Sequence, residues 1–291
     1  MSCALENLEL GLLLEAVFQH SGYDFRNYTP TSLWRCVHNC VQAEQVATIS
    51  GLQTLVLHNS GAFERFLLAL SINVTALFRD PAFYLAFRTR VVPLLRTYPS
   101  LRLWLAGCAT GEEAYSLAIL LQESGLYEHC KIYATDMNAT VLQKAGAGIF
   151  PLAAMKNYAS NYAEAGGTRT LADYYTAEAG SAILAPDLRK NICFAQHNLA
   201  SDGSFNEFHV IFCRNVLIYF NQELQGRVGR LFNQSLVMFG CLCLGENESL
   251  KFSPNEPCFE ELDPRHKIYR KTDRNCRRCD AAPKRCEPGK L

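Results

Sequence analysis

This chain has no net charge to speak of: 28 Lys and Arg stand against 28 Asp and Glu. A balanced chain has no global field to attract nucleic acid or an anionic membrane surface, so neither is expected as a partner. Long apolar runs are missing as well. No stretch approaches the ~20 residues a membrane helix needs, and no basic start leads into an apolar segment of the secretory type. Internal repeats and low-complexity segments are also absent, which argues against solenoids and fibres. The seven histidines (His20, His38, His58, His129, His197, His209 and His266) share no metal-ligand spacing. Cysteine, in contrast, is plentiful and odd in number, at 13. Cys108, Cys193, Cys213, Cys241 and Cys243 fall inside apolar segments, where a free thiol acts as a small hydrophobe. With no leader to suggest export, the expectation is a cytoplasmic protein with reduced thiols.

At 291 residues the chain can bury a substantial core in one large and one smaller domain. Residues 1–72 read as helical. Leu5, Leu8, Leu12, Leu13 and Val17 recur at helical spacing, the Thr-Pro-Thr-Ser run ending at Ser32 can start a further helix, and Phe63, Phe66, Leu67 and Leu70 mark another. From Val74 the pattern becomes alternating strands and helices, the mark of an open α/β sheet. Leu101–Ala106, Lys131–Asp136, Phe208–Cys213, Cys241–Leu244 and His266–Arg270 read as strands, with helices over Glu112–Ser124, Ala139–Ala147 and Glu223–Leu236. Residues 167–197 break this order and read as a small antiparallel insertion that includes Asn191–Phe194. Residues 73–271 then form the α/β domain. The tail, 272–291, is polar and basic, reads as disordered, and holds Cys276, Cys279 and Cys286, too few for a zinc site.

The densest chemical signal is Leu101-Arg-Leu-Trp-Leu-Ala-Gly-Cys-Ala-Thr-Gly-Glu-Glu-Ala-Tyr-Ser116. A strand enters a glycine turn at Gly107 and Gly111, and a helix follows at once, so backbone N–H groups can approach a ligand at a helix N-terminus. The spacing is neither G-x-G-x-x-G nor a phosphate loop. Glu112 and Glu113 stand where a polyphosphate would rest, which suits a cationic, amine-bearing ligand instead. S-adenosylmethionine, with its sulfonium and ammonium, fits that description. In an open parallel sheet, ligands lie at the carboxyl ends of the strands. There the glycine turn, Asp136 and Arg214-Asn215 converge. Asp136 can accept hydrogen bonds from ribose hydroxyls or, alternatively, cap the next helix. Glu113 can meet the ligand or serve only as a first-turn helix charge.

Linked motifs then carry a resemblance. Val74-Thr-Ala-Leu-Phe-Arg-Asp-Pro81, the glycine turn, Ala134-Thr-Asp136, His197-Asn-Leu199, Ile211-Phe-Cys-Arg-Asn-Val-Leu-Ile-Tyr-Phe220 and Leu244-Gly-Glu-Asn-Glu-Ser-Leu250 resemble, in order and spacing, the CheR-type protein-glutamate O-methyltransferases of bacterial chemotaxis. The resemblance implies a Rossmann-like AdoMet-dependent methyltransferase domain, a helical N-terminal domain and a small inserted antiparallel β-subdomain. It implies transfer of methyl groups from S-adenosylmethionine to glutamate carboxylates of a protein, a chemoreceptor or related signalling partner, with S-adenosylhomocysteine as the other product. Matched by motif, the cofactor contacts fall on Asn73, Thr75, Arg79, Gly107, Glu113, Asp136, Asn198, Leu199, Asn215 and Val216. The active-site pair falls on Arg79 and Tyr219. Arg79 could instead pair with Asp80, and Tyr219 could be a core residue. No metal is implied, and a monomer is expected. Two departures stand out: Ala109 and Ala114 replace the family's frequent Ser and Pro, and the helix around Ser32–Cys40 keeps only Arg35 of a face that often carries several arginines. Other readings are therefore a different acceptor or a catalytically weak AdoMet-binding regulatory module.

Overall fold

The structure, a computed structural model, describes residues 2–71, 75–251 and 253–272. Four helices open it: α1 (Ser2–Ser21), α2 (Pro30–Ala43), α3 (Ile49–His58) and α4 (Ser60–Leu70). The side chains of Thr48 and Asn59 cap α3 and α4 by accepting first-turn N–H groups. The seam of this bundle is Leu10, Leu13, Leu14 and Val17 of α1 against Leu33, Val37, Leu52, Val56 and Phe66. This corrects the reading of α1. Leu5, Leu8 and Leu12 are more than half exposed, because α1 carries leucine all around its axis and the i, i+3, i+4, i+7 set beginning at Leu10 makes the better stripe.

The α/β domain runs through α5 (Pro81–Arg90), α6 (Val92–Leu95), β1 (Leu101–Ala106), α7 (Glu112–Glu123), β2 (Cys130–Asp136), α8 (Ala139–Ala147), β3 (Ile149–Pro151), α9 (Met155–Glu164), β4 (Tyr175–Glu178), β5 (Ser181–Leu184), β6 (Ile192–Gln196), β7 (Phe208–Cys213), α10 (Gln222–Ser235), β8 (Leu236–Leu244), β9 (Phe259–Asp263) and β10 (Ile268–Lys271). The main sheet has the order β6-β2-β1-β7-β8-β10-β9. Its first five strands are parallel, and β10 runs antiparallel to both its neighbours, β8 and β9. Strand β1 sits inside this sheet and is buried on both faces: Leu103 and Leu105 point into one core, Trp104 and Ala106 into the other. Strand order reverses between β1 and β7, so a crevice opens at their carboxyl ends.

The insertion differs from its sequence reading. The three-stranded antiparallel sheet is β3-β5-β4, so it starts at Ile149. Residues 192–196 instead form β6, an edge strand of the main sheet paired in parallel with β2. The run Leu171–Tyr174 is a single 3-10 turn leading into β4. Short edge strands with half-buried patterns look alike in either sheet, and only the crossover through α8 decides which one they join.

Candidate cofactor and active site

The crevice is an open cleft enclosing about 920 Å³ including its mouth. Three strand ends build its floor. After β1 the chain turns at Gly107 (φ +82°), where a Cβ would come within 2.6 Å of a Val216 methyl. Glycine is thus required for the β1 and β7 loops to approach one another. After β2, Asp136 is buried, and its two carboxylate oxygens accept the N–H groups of Ala109 (3.0 Å) and Asn138 (3.0 Å). Helix α8 is capped by Asn138, whose side chain accepts from Thr140, so Asp136 is not the cap. Burial pushes its carboxyl up, against the pull of those backbone donors. Ala109 itself takes φ +46° to deliver its N–H, and Ala114 is fully buried.

Glu112 and Glu113 part company, because neighbours on a helix lie about 100° apart. Glu113 lines the cleft and accepts from Arg214 Nη1 at 2.9 Å. Glu112 turns away, accepts from Thr110 Oγ1 (2.6 Å) and is buried. Of the two acids, Glu113 alone faces the cleft. Cys108 lies in the same turn, and burial drives its thiol well above the ordinary range, which leaves it a neutral space-filler.

After β7, Asn215 takes φ +60°, Val216 packs on Gly107, and Tyr219 faces the cleft half-buried. Burial raises the Tyr219 phenol, with Arg35 and Arg79 acting in the opposite sense, so at neutral pH it is a protonated donor. Arg79 lines the same mouth between two left-handed residues, Phe78 (φ +52°) and Asp80 (φ +58°). The Asp80 carboxylate pairs with Arg214 at 2.8 Å. At the other end stand Asn198, Leu199 and His197. The Asn198 carboxamide oxygen accepts the Ala200 N–H. Thr75 also lines the cleft, whereas Asn73 lies outside the described residues.

One group of residues escaped the sequence reading, and for another residue it missed the partners. Tyr28, Leu70 and Ser71 close the cleft from the helical domain. This domain is locked on by Thr29 N–H to Tyr219 O (2.8 Å), Asn221 N–H to Asn27 O (2.9 Å) and Tyr28 stacked edge-on to Phe220. Buried Arg214 is the other: it bonds Glu113, Asp80 and the Arg79 carbonyl, with Phe83 4.0 Å beneath its guanidinium. Its motif was visible, but its partners were not.

The cleft fits S-adenosylmethionine by its donor set. Asp136 keeps lone pairs for ribose hydroxyls after serving two N–H groups. Glu113 offers a carboxylate to an ammonium, and Leu199, Met137 and Tyr28 give apolar walls beside an amide for a purine. A sheet of this order with such a cleft is that of the Rossmann-like AdoMet-dependent methyltransferases. The family model described as the CheR methyltransferase SAM binding domain matches residues 73–267, and that described as the CheR methyltransferase all-alpha domain matches residues 8–71. The chain belongs to the CheR methyltransferase family, and its cofactor is S-adenosylmethionine. Cher3 of Pseudomonas putida is 48% identical over 266 residues, spanning 91% of this chain and 97% of its own. Chemotaxis protein methyltransferase 1 of Pseudomonas aeruginosa is 31% identical, over 73% of this chain and 79% of its own. A chemotaxis protein methyltransferase of Listeria innocua is 29% identical, over 79% of this chain and 85% of its own. Among the described residues, no helix is long and apolar enough to cross a membrane and no cluster of side chains could hold a metal ion.

Proposed function

We propose that this methyltransferase esterifies glutamate side chains of a signalling protein in the cytoplasm, yielding glutamate methyl ester and S-adenosylhomocysteine. The observation that carries this reading is that Arg79 and Tyr219 both line a cleft whose acids are already hydrogen-bonded: Glu113 by Arg214, Asp136 by two backbone amides. His197 is likewise within hydrogen-bond distance of the Gly203 carbonyl. An acceptor that needed deprotonation would call for a general base. A glutamate side chain, with an ordinary pKa of about 4.3, is already ionised at neutral pH and needs none.

Bound S-adenosylmethionine supplies a methyl group on a positively charged sulfur. Arg79 can grip a carboxylate through its planar fork. Tyr219, kept protonated, donates to one acceptor oxygen and so aims the other. The relatives named for chemotaxis support a receptor or receptor-linked acceptor. Nine described cysteines are free thiols, all but Cys193 buried, in keeping with a reducing compartment.

Methyl transfer from radiolabelled S-adenosylmethionine to proteins of the source cell tests the reading. Carboxyl esters release volatile methanol after alkali. Label that survives alkali would place the methyl on another acceptor, and no label despite calorimetric cofactor binding would leave a regulatory binder. Tyr219→Phe is expected to lower turnover roughly ten- to a hundredfold, the worth of one hydrogen bond to a charged group, with S-adenosylhomocysteine affinity within about twofold of wild type.

A further inference from the structure

The segment Leu244-Gly-Glu-Asn-Glu-Ser-Leu250, which begins at the last residue of β8, has no part in the chemistry above, yet it holds a buried acid. Glu248 is 4% exposed. One carboxylate oxygen accepts the N–H groups of Gly245 (2.6 Å) and Asn215 (3.0 Å); the other accepts those of Val216 (2.8 Å) and Leu217 (2.7 Å). A carboxylate has about four lone-pair sites, and all four are consumed by backbone. Glu248 therefore has nothing left for a ligand, and it is not among the residues that line the cleft. Three of its four donors belong to one turn, residues 215–217. That turn brings Asn215, in its left-handed conformation, and Val216, pressed on Gly107, to the cofactor side. It continues directly into the single helical turn Leu217–Tyr219, whose last residue faces the acceptor side and receives Thr29 N–H from the helical domain.

We propose that Glu248 is a positioning residue: by gathering these amides it sets the turn that serves cofactor and acceptor at once. The inference rests on placing the cofactor in this cleft. Gly245 gives independent access to the same geometry. A Cβ there would lie 2.7 Å from a Glu248 oxygen and 2.8 Å from Asn215 N, and its φ is not in the left-handed region, so alanine is conformationally allowed. Gly245→Ala should thus push the turn from below without removing the carboxylate. In Glu248→Gln one acceptor oxygen becomes an NH2 aimed at two N–H groups.

The test is calorimetric titration of the full chain with S-adenosylhomocysteine, alongside thermal unfolding and steady-state kinetics. Both variants are expected to bind roughly ten- to a hundredfold more weakly, Glu248→Gln because two amides of the turn lose their acceptor and Gly245→Ala because its Cβ displaces the same turn. They should also raise KM for S-adenosylmethionine and lower kcat together. Asp136→Asn is run as the control for the cleft itself. If Asp136→Asn loses affinity while folded Glu248→Gln and Gly245→Ala bind within twofold of wild type, Glu248 only holds the fold and the proposal is wrong. If Asp136→Asn also binds normally, the cleft assignment falls and takes the proposal with it. Should Glu248→Gln not fold, Gly245→Ala decides by the same criterion.

Discussion

Arg214→Met is expected to destabilise the protein by about 3 kcal/mol, the cost of breaking a buried ion pair from one side, and to weaken cofactor binding with it. The arginine side chain is 3% exposed and paired with two carboxylates, Asp80 and Glu113, which are 39% and 15% exposed. Arg214 carries its charge firmly: burial works against it, and Glu113, Tyr84 and Asp80 more than compensate by holding its pKa above the ordinary value. Without the guanidinium, Asp80 can turn to water, but Glu113 is left as a charge in a largely dry wall. Relief of that charge is the internal check. Adding Glu113→Gln to Arg214→Met should recover about 1 kcal/mol, because neighbouring sites couple. Lysine should rescue poorly, since one ammonium cannot span both acids and the Arg79 carbonyl as a planar fork does. Urea denaturation of these three variants beside wild type measures all of this. A single Arg214→Met within 1 kcal/mol of wild type would show that the pair does not hold the mouth of the cleft together.

Arg214 also shows how far the sequence can be read. The glycine turn, Asp136 and the β7 end were legible because each follows an apolar strand, and strand ends in a parallel sheet converge on one crevice. What a buried charge pairs with was not legible. Arg214 meets Asp80 across 134 residues of chain and Glu113 across 101. Glu248 meets the 215–217 turn across 31 to 33, and no periodicity encodes such approaches. Tyr28 escaped for the same reason, since its place in the cleft depends on how the helical bundle docks against Phe220. The separation of Glu112 from Glu113 is different in kind. Helical geometry alone puts adjacent residues on different faces, so that division was available from the sequence. Strand β6 was misplaced because five residues with a half-exposed pattern carry no mark of parallel or antiparallel pairing.

The acid that ties the insertion to the main domain sets the second large effect. Glu123 closes α7 with its side chain 2% exposed. It accepts Thr168 N–H (3.1 Å), the Thr168 hydroxyl (3.0 Å) and the Tyr174 hydroxyl (3.1 Å), together with short contacts from Tyr162 and Arg88. Those donors come from α5, α9 and the segment leading into β4, so one carboxylate gathers three elements around the end of a fourth. Burial would raise its pKa, but the bonds from Tyr162, Thr168 and Arg88 outweigh burial and hold it below its ordinary value. Glu123→Ala is expected to cost about 3–5 kcal/mol, with Arg88 losing its carboxylate partner and two tyrosine hydroxyls their acceptor. The sign of the pH dependence follows from the depressed pKa. The unfolded chain binds this proton more readily than the folded one, so the contribution is complete above the unfolded pKa of about 4.5 and is lost as pH falls through the lower folded value. Buried Asp136, Glu112 and Glu248 have raised values and act with the opposite sign. The informative quantity is therefore the stability difference between wild type and Glu123→Gln, which should shrink steadily below pH about 4.5. Because the lost bonds hold residues 168–174, exposed Arg169 should become the first site of tryptic cleavage in Glu123→Ala at neutral pH. Cleavage spread evenly along the chain would mean that this carboxylate supports the whole domain rather than the insertion.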